Sequence, residues 1–182
     1  GKILILGGIF LLTATGCMYD LDVTGVVHLN DNVNERFSES IQWNANNSPK
    51  LTGLYGYEYT VVFGGDSHVV GTKNLQKLID IAHDSMAVAM VIAGDVSTGQ
   101  REDYEVLDSV LLYTTYVHTC LILGNHDLYF DGWKSFSDMF GSSTYTMDVI
   151  TAGGSDLFIF LDTGSGTLGP LQLNWLKELL EA

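Results

Sequence analysis

The sequence predicts an α/β fold built on a layer of mostly parallel strands. Two observations carry this. The segments Tyr57–Phe63, Ala87–Ala93 and Val117–Leu123 have strand composition, and the last two are continuous apolar runs of the kind found in strands buried on both faces. Between them, Lys73–Ala82 and Arg101–Leu112 carry apolar residues at helical spacing. Strand, helix, strand, helix, strand is the pattern of parallel strands joined by helical crossovers.

Size and charge narrow the function. The 182 residues suffice for one domain with a substantial core, and 46% hydrophobic against 16% charged residues excludes wholesale disorder. Lys and Arg number 8 against 22 Asp and Glu, a formal charge of -14. No nucleic-acid partner is expected from such a surface, because binding phosphate backbones depends on Lys and Arg. A small anionic substrate would meet the same repulsion unless bound cations offset it.

The N-terminus reads as an address. Lys2, the apolar stretch Ile3–Leu12 and the small residues Thr13-Ala14-Thr15-Gly16 before Cys17 describe a signal peptide over residues 1–16. The stretch is shorter than the roughly 20 apolar residues that span a bilayer. Ala-Thr-Gly-Cys resembles a bacterial lipobox, with Ala14 where Leu is more usual. That resemblance implies an exported protein, lipid-anchored through Cys17 in the bacterial cell envelope. Residues 17–57 are polar, with Asn clusters and a Ser48-Pro49 turn, and read as an N-terminal extension or spacer. Short elements are expected there over Asp22–Leu29 (strand) and Arg36–Trp43 (helix).

The domain occupies residues 58–182. After the three strands and two helices already named, a shorter helix is expected over Gly132–Met139. Strands follow at Ser143–Ile150 and Leu157–Leu161, joined by a Gly153-Gly154 turn. A last helix places Leu171, Trp175, Leu176, Leu179 and Leu180 on its apolar face. Of the two cysteines, Cys120 lies in an apolar run and reads as a small buried hydrophobe.

Ligands of such sheets bind at the carboxyl ends of the strands. There the three best strands end alike, in Gly65-Asp66-Ser67-His68, Gly94-Asp95-Val96 and Gly124-Asn125-His126-Asp127. A glycine before each cluster would let the backbone turn and approach an ion. Asp66 and His68 are two apart and can face one ion together. Carboxylate, amide oxygen and imidazole form a donor set suited to Mn, Fe or Zn. Asp95 can bridge two ions, and Asn125 can serve the second. His28, His83 and His118 read as surface or structural residues.

Asp-x-His, Gly-Asp and Gly-Asn-His-Asp, in this order and each after a strand, resemble the first three motifs of calcineurin-like metallophosphoesterases. Leu161-Asp162-Thr163 and Leu171-Gln172-Leu173-x-Trp175-Leu176 resemble the stretch that follows them, so the likeness runs from about Tyr59 to Ala182. Asp66-x-His68 and Gly94-Asp95 are weak alone and Gly-Asn-His-Asp is moderately specific; the three at successive strand ends are a strong signal. The resemblance implies a layered β-sandwich flanked by helices, a phosphate-ester substrate, and two divalent metal ions (Mn, Fe or Zn). Asp66 and His68 would hold the first ion, Asp95 would bridge and Asn125 would hold the second. His126 would bind phosphate and protonate the leaving oxygen, with Asp127 orienting and charging it.

The family pattern continues with a lone His and a Gly-His-x-His motif, and no histidine follows His126. The expectation is therefore a chain carrying only the N-terminal part of the domain, inactive alone. Two other functions compete. A serine hydrolase fails because Gly65-Asp66-Ser67-His68-Val69 lacks the last glycine of its elbow motif. A non-catalytic cell-envelope binding protein on the same fold is the remaining alternative. The ester itself, its mono- or diester class and the identity of the metal stay open.

Overall fold

The structure is a computed structural model and describes residues 32–47, 56–68, 72–114 and 116–181. The expectations that fall on Cys17, His28 and the strand over Asp22–Leu29 lie outside these residues. Strands β1 (Val61–Gly64), β2 (Ala89–Ala93) and β3 (His118–Ile122) pair in parallel in the order β1-β2-β3. Helix α1 (Val33–Asn47) precedes them, while α2 (Thr72–Asp84) and α3 (Arg101–Thr114) connect them. All three strands therefore run the same way and end on the same edge.

The period of two along β2 sorts the core into two halves. Met90 and Ile92 face Leu75 and Ile79 of α2, Tyr104 and Leu107 of α3, and Trp133 and Phe136 of α4 (Gly132–Phe140). Ala89 and Val91 face the other way with Cys120, onto the hairpin of β4 (Tyr145–Thr151) and β5 (Gly154–Phe160). Tyr145, Met147, Val149 and Phe160 complete that half. The result is a helical layer, a parallel sheet and a second, antiparallel sheet: a mixed α/β architecture with its parallel sheet flanked by helices. Cys120 is buried between the two sheets.

Three local expectations change. The hairpin turn falls at Ala152-Gly153, and β5 begins at Gly154, because Ser155 and Asp156 pair with Ile150 and Val149. Gly154 to Leu157 are exposed, so they carry none of the apolar alternation by which a strand is recognised. In α5 (Gly169–Glu181) the wholly buried residue is Gln172, whereas Leu171 and Leu180 are 45% and 70% exposed. Gln172 Oε1 accepts from Thr144 Oγ1 (2.6 Å) and Asp162 N–H (2.9 Å). Its Nε2 donates to the carbonyls of Asp162 (2.8 Å) and Leu168 (3.1 Å), so all four bonding positions are used.

The third change is one of length: the helix expected over Arg36–Trp43 is present and runs further at both ends, as α1 (Val33–Asn47). The Asn32 side chain ahead of it accepts from Asn34 N–H at 2.9 Å and caps the helix. Phe37 packs on Trp175 of α5, with ring centroids 5.9 Å apart. Arg36 and Asp162 are both wholly buried, and their contacts are Nε to Oδ2 at 2.7 Å and Nη2 to Oδ1 at 3.2 Å. Nη2 also donates to Ser165 Oγ at 2.9 Å. The buried face of α1 thus combines Val33 and Phe37 with an arginine, which apolar spacing alone does not mark as an inward residue.

Removing one partner of such a pair leaves a charge buried without compensation, at a cost of about 3–5 kcal/mol. Arg36→Ala should lower the unfolding free energy by that amount, seen as a lower urea midpoint at an unchanged slope. A loss below roughly 1 kcal/mol, the range of exposed pairs, would mean that Arg36 and Asp162 meet in water.

Candidate metal centre

The strand ends are held in register beyond the strands themselves. Asp66 N–H donates to the Gly94 carbonyl (3.0 Å), His68 N–H to the Asp95 carbonyl (3.1 Å), and Gly94 N–H to the Ile122 carbonyl (3.0 Å). These bonds carry three turns to one place. One ligand atom each from Asp66, His68 and Asp95 lies within 4.8 Å of the other two. His68 Nε2 is 2.8 Å from Asp66 Oδ1. Asp66 is exposed and the other two are half-buried, so the group opens to solvent.

The backbone here is unusual in a specific way. Asp66, His68 and Asp95 have φ of 55°, 35° and 49°, in the left-handed region that side chains other than glycine rarely enter. Each such residue costs of order 1–3 kcal/mol and persists only where its surroundings impose it. Of the three preceding glycines only Gly94 takes a left-handed turn, at φ 76°. The other two are required by crowding. A Cβ on Gly65 would lie 2.6 Å from the Ala93 carbonyl oxygen, and one on Gly124 would overlap Asp95 Oδ1. Two of these glycines thus admit the neighbouring chain and not an ion, contrary to the simplest reading of the motif.

Asn125 and His126 follow the third strand. Asn125 is exposed and precedes a 3-10 turn over His126–Asp131. His126 is half-buried, and its N–H donates to Asp95 Oδ1 at 2.9 Å. Its ring stands edge-on to that of His68, with centroids 4.9 Å apart. His126 is thereby joined both to the carboxylate at the centre and to the imidazole beside it.

Asp127 is wholly buried and turned the other way. Its Oδ1 accepts from Ser97 N–H (2.8 Å) and Ser97 Oγ (2.9 Å), and its Oδ2 from Gly124 N–H (2.8 Å) and Val96 N–H (3.2 Å). Burial pushes its carboxyl above the usual range, and the Gly124, Ser97 and Val96 donors pull it back. Four donors fill the acceptor sites of an ionised carboxylate. It has none left with which to orient His126, the role that the motif resemblance gives it. The carboxylate instead ties the segment after β2 to the segment after β3.

A family model described as calcineurin-like phosphoesterase matches residues 30–178. The chain belongs to that family. No curated protein and no solved structure matches it. The matched region begins ahead of α1, the helix that packs on α5. Phosphoesterases of this family generally hydrolyse their substrates and typically bind divalent metals. The donor set suits such ions: two carboxylates and an imidazole are brought together where like charges repel unless a cation lies between them. Neither His83, which stacks on Tyr116 at the end of α2, nor His118 at the head of β3 belongs to the group.

Two contributors are invisible in the sequence. Ser97 gives Asp127 two bonds and also accepts from Gly99 N–H at 2.9 Å. Tyr104, one member of a helical stripe, donates its hydroxyl to the Asp127 carbonyl at 2.8 Å. No motif marks either residue.

Asp127→Asn replaces one acceptor oxygen with an amide that faces N–H donors. It should destabilise the protein by about 1–3 kcal/mol, the cost of stranding a buried polar group, as read by thermal melting. The Ser97 and Gly124 amide resonances should move with it. Parental stability with unmoved resonances would show that the carboxylate does not join the two segments.

Proposed function

We propose that the protein hydrolyses a phosphate ester, with two divalent cations held at the ends of β1, β2 and β3 and His126 as general acid. The observation that carries this reading is the convergence of Asp66, His68 and Asp95 within 4.8 Å, with His126 hydrogen-bonded to Asp95. Asp66 and His68 would hold the first cation, Asp95 would serve both, and Asn125 would serve the second. Cations bound there would supply positive charge for the phosphoryl oxygens and make water acidic enough to attack near neutral pH. They would also offset the repulsion between an anionic ester and a chain of formal charge -14.

In the reaction, the oxygen of water bonds to phosphorus while the ester P–O bond on the far side breaks. The departing oxygen takes a proton from the His126 imidazolium, and the water proton passes to solvent. His126 also binds the phosphoryl group, which its half-buried place beside the donors allows. Export and a lipid anchor at Cys17 belong to the same reading and rest on the sequence motif alone.

The test is hydrolysis of chromogenic phosphomonoesters and phosphodiesters by the full-length protein with Mn²⁺. Turnover should vanish with chelator and fall about 10²- to 10⁴-fold in His126→Ala, the usual contribution of a general acid. Asp95→Asn should weaken Mn²⁺ binding in calorimetry as well as lower turnover. Absence of both turnover and bound metal would overturn the proposal and leave a non-catalytic binding protein in its place. For the anchor, Cys17→Ser should move the exported protein from the membrane to the soluble fraction; retention on the membrane would remove that part of the reading.

A further inference from the structure

With the Asp127 carboxylate fully engaged by Ser97, Val96 and Gly124, the orientation of His126 must come from elsewhere. Its main chain is fixed by the N–H bond to Asp95, which leaves the imidazole free to rotate about its side-chain bonds. Among the described residues, two rings meet it. That of His68 stands edge-on at a centroid distance of 4.9 Å, and that of Tyr129 lies tilted at 5.1 Å with 43° between planes.

Local geometry explains the second contact. Residues three apart eclipse in a 3-10 turn, which has three residues per turn, so positions 126 and 129 share a face. The helical path then stops: Tyr129 has ψ 158° and Phe130 has φ 53°. This break is held from behind. A Cβ on Gly99 would overlap the Tyr129 carbonyl oxygen and come within 2.9 Å of that of His126, so the Ser97–Gly99 loop sits directly against the turn. The Tyr104 hydroxyl bonds to the Asp127 carbonyl inside the same turn.

We infer that Tyr129 is the positioning residue for His126, its ring clamping the imidazole against His68 so that the imidazole faces the metal group. The inference rests on the proposed role of His126 as general acid. It concerns the tyrosine ring, because among the described residues no hydrogen bond from the hydroxyl enters the contact. A flat ring restricts rotation of the imidazole without competing for its nitrogens, which leaves them free for phosphate and proton. An aspartate partner would occupy one nitrogen instead.

The experiment compares Tyr129→Phe, Tyr129→Leu and Tyr129→Ala in the full-length protein. In metal-free protein, ¹H–¹³C spectra of the imidazoles should show the His126 ring protons shifted by the Tyr129 ring. That shift, and the cross-relaxation between His126 and His68 rings, should persist in Tyr129→Phe and disappear in Tyr129→Leu and Tyr129→Ala. With Mn²⁺ and a chromogenic ester, Tyr129→Leu should lose kcat by up to about 100-fold, the scale of a misplaced reacting group, with KM nearly unchanged. Tyr129→Phe should rescue most of that loss. Tyr129→Leu retains bulk, so it carries the test if Tyr129→Ala fails to fold. Parental kcat in Tyr129→Leu, in a protein that does turn over, overturns the inference and leaves the proposed function standing. An immobile imidazole lost on Tyr129→Leu, in a protein with no turnover, supports the clamp and removes the catalytic reading.

Discussion

A carboxylate taken out of water must be met by donors, and the Asp127 carboxylate is met by four of them from two separate segments. Parallel pairing brings the ends of β1, β2 and β3 to one edge, but an edge alone fixes nothing beyond the last ladder bond. The knot around Asp127 holds Val96 and Ser97 against Gly124, and so sets the distance between Asp95 and His126. Their hydrogen bond of 2.9 Å follows from that spacing. Glycine at 124 is then obligatory, since the Asp95 carboxylate fills the space a side chain would take. The candidate metal group depends on a residue that does not belong to it.

A second buried network does the same for the outer layer. The Asp162 carboxylate accepts from Arg36 and from Ser143 Oγ, and its backbone is bonded on both sides by Gln172. Through it α1, the start of β4, the end of β5 and α5 meet at a polar centre. Apolar contact between α1 and α5, such as Phe37 on Trp175, would hold them equally well in almost any rotation. A bidentate arginine does not allow that freedom. Both networks fix geometry, and each stays favourable because the Asp127 and Asp162 carboxylates and the Gln172 amide are met by hydrogen-bond partners.

What is legible in the sequence follows from this division. The parallel layer, its helices and the three polar strand ends are written as apolar periodicity and as glycine-led motifs, so Asp66, His68, Asp95 and His126 can be picked out as a group. Periodicity records only which side chains avoid water. It does not show that Gln172 rather than Leu171 turns inward, or that α1 is anchored by Arg36. The exposed start of β5 has no alternation to read for the same reason. Nor does a motif say which neighbour satisfies a carboxylate: Asp127 stands beside His126 in sequence and bonds instead to Gly124 and to the distant Val96 and Ser97.

The remaining question is why the site tolerates its own geometry. Three left-handed non-glycine residues and two carboxylates close together both raise the energy of the metal-free state. Asp and His tolerate this region better than other side chains, and the strand pairing and the Asp127 knot hold them in it. Imposed strain has a consequence for binding. A loop that had to rearrange around a cation would spend part of the binding energy on ordering, whereas donors already held together do not. A cation held by Asp66, His68 and Asp95 would offset the repulsion between the two carboxylates. For a chain with a formal charge of -14, cations held there would, on the proposed function, reverse the local sign that an anionic ester meets.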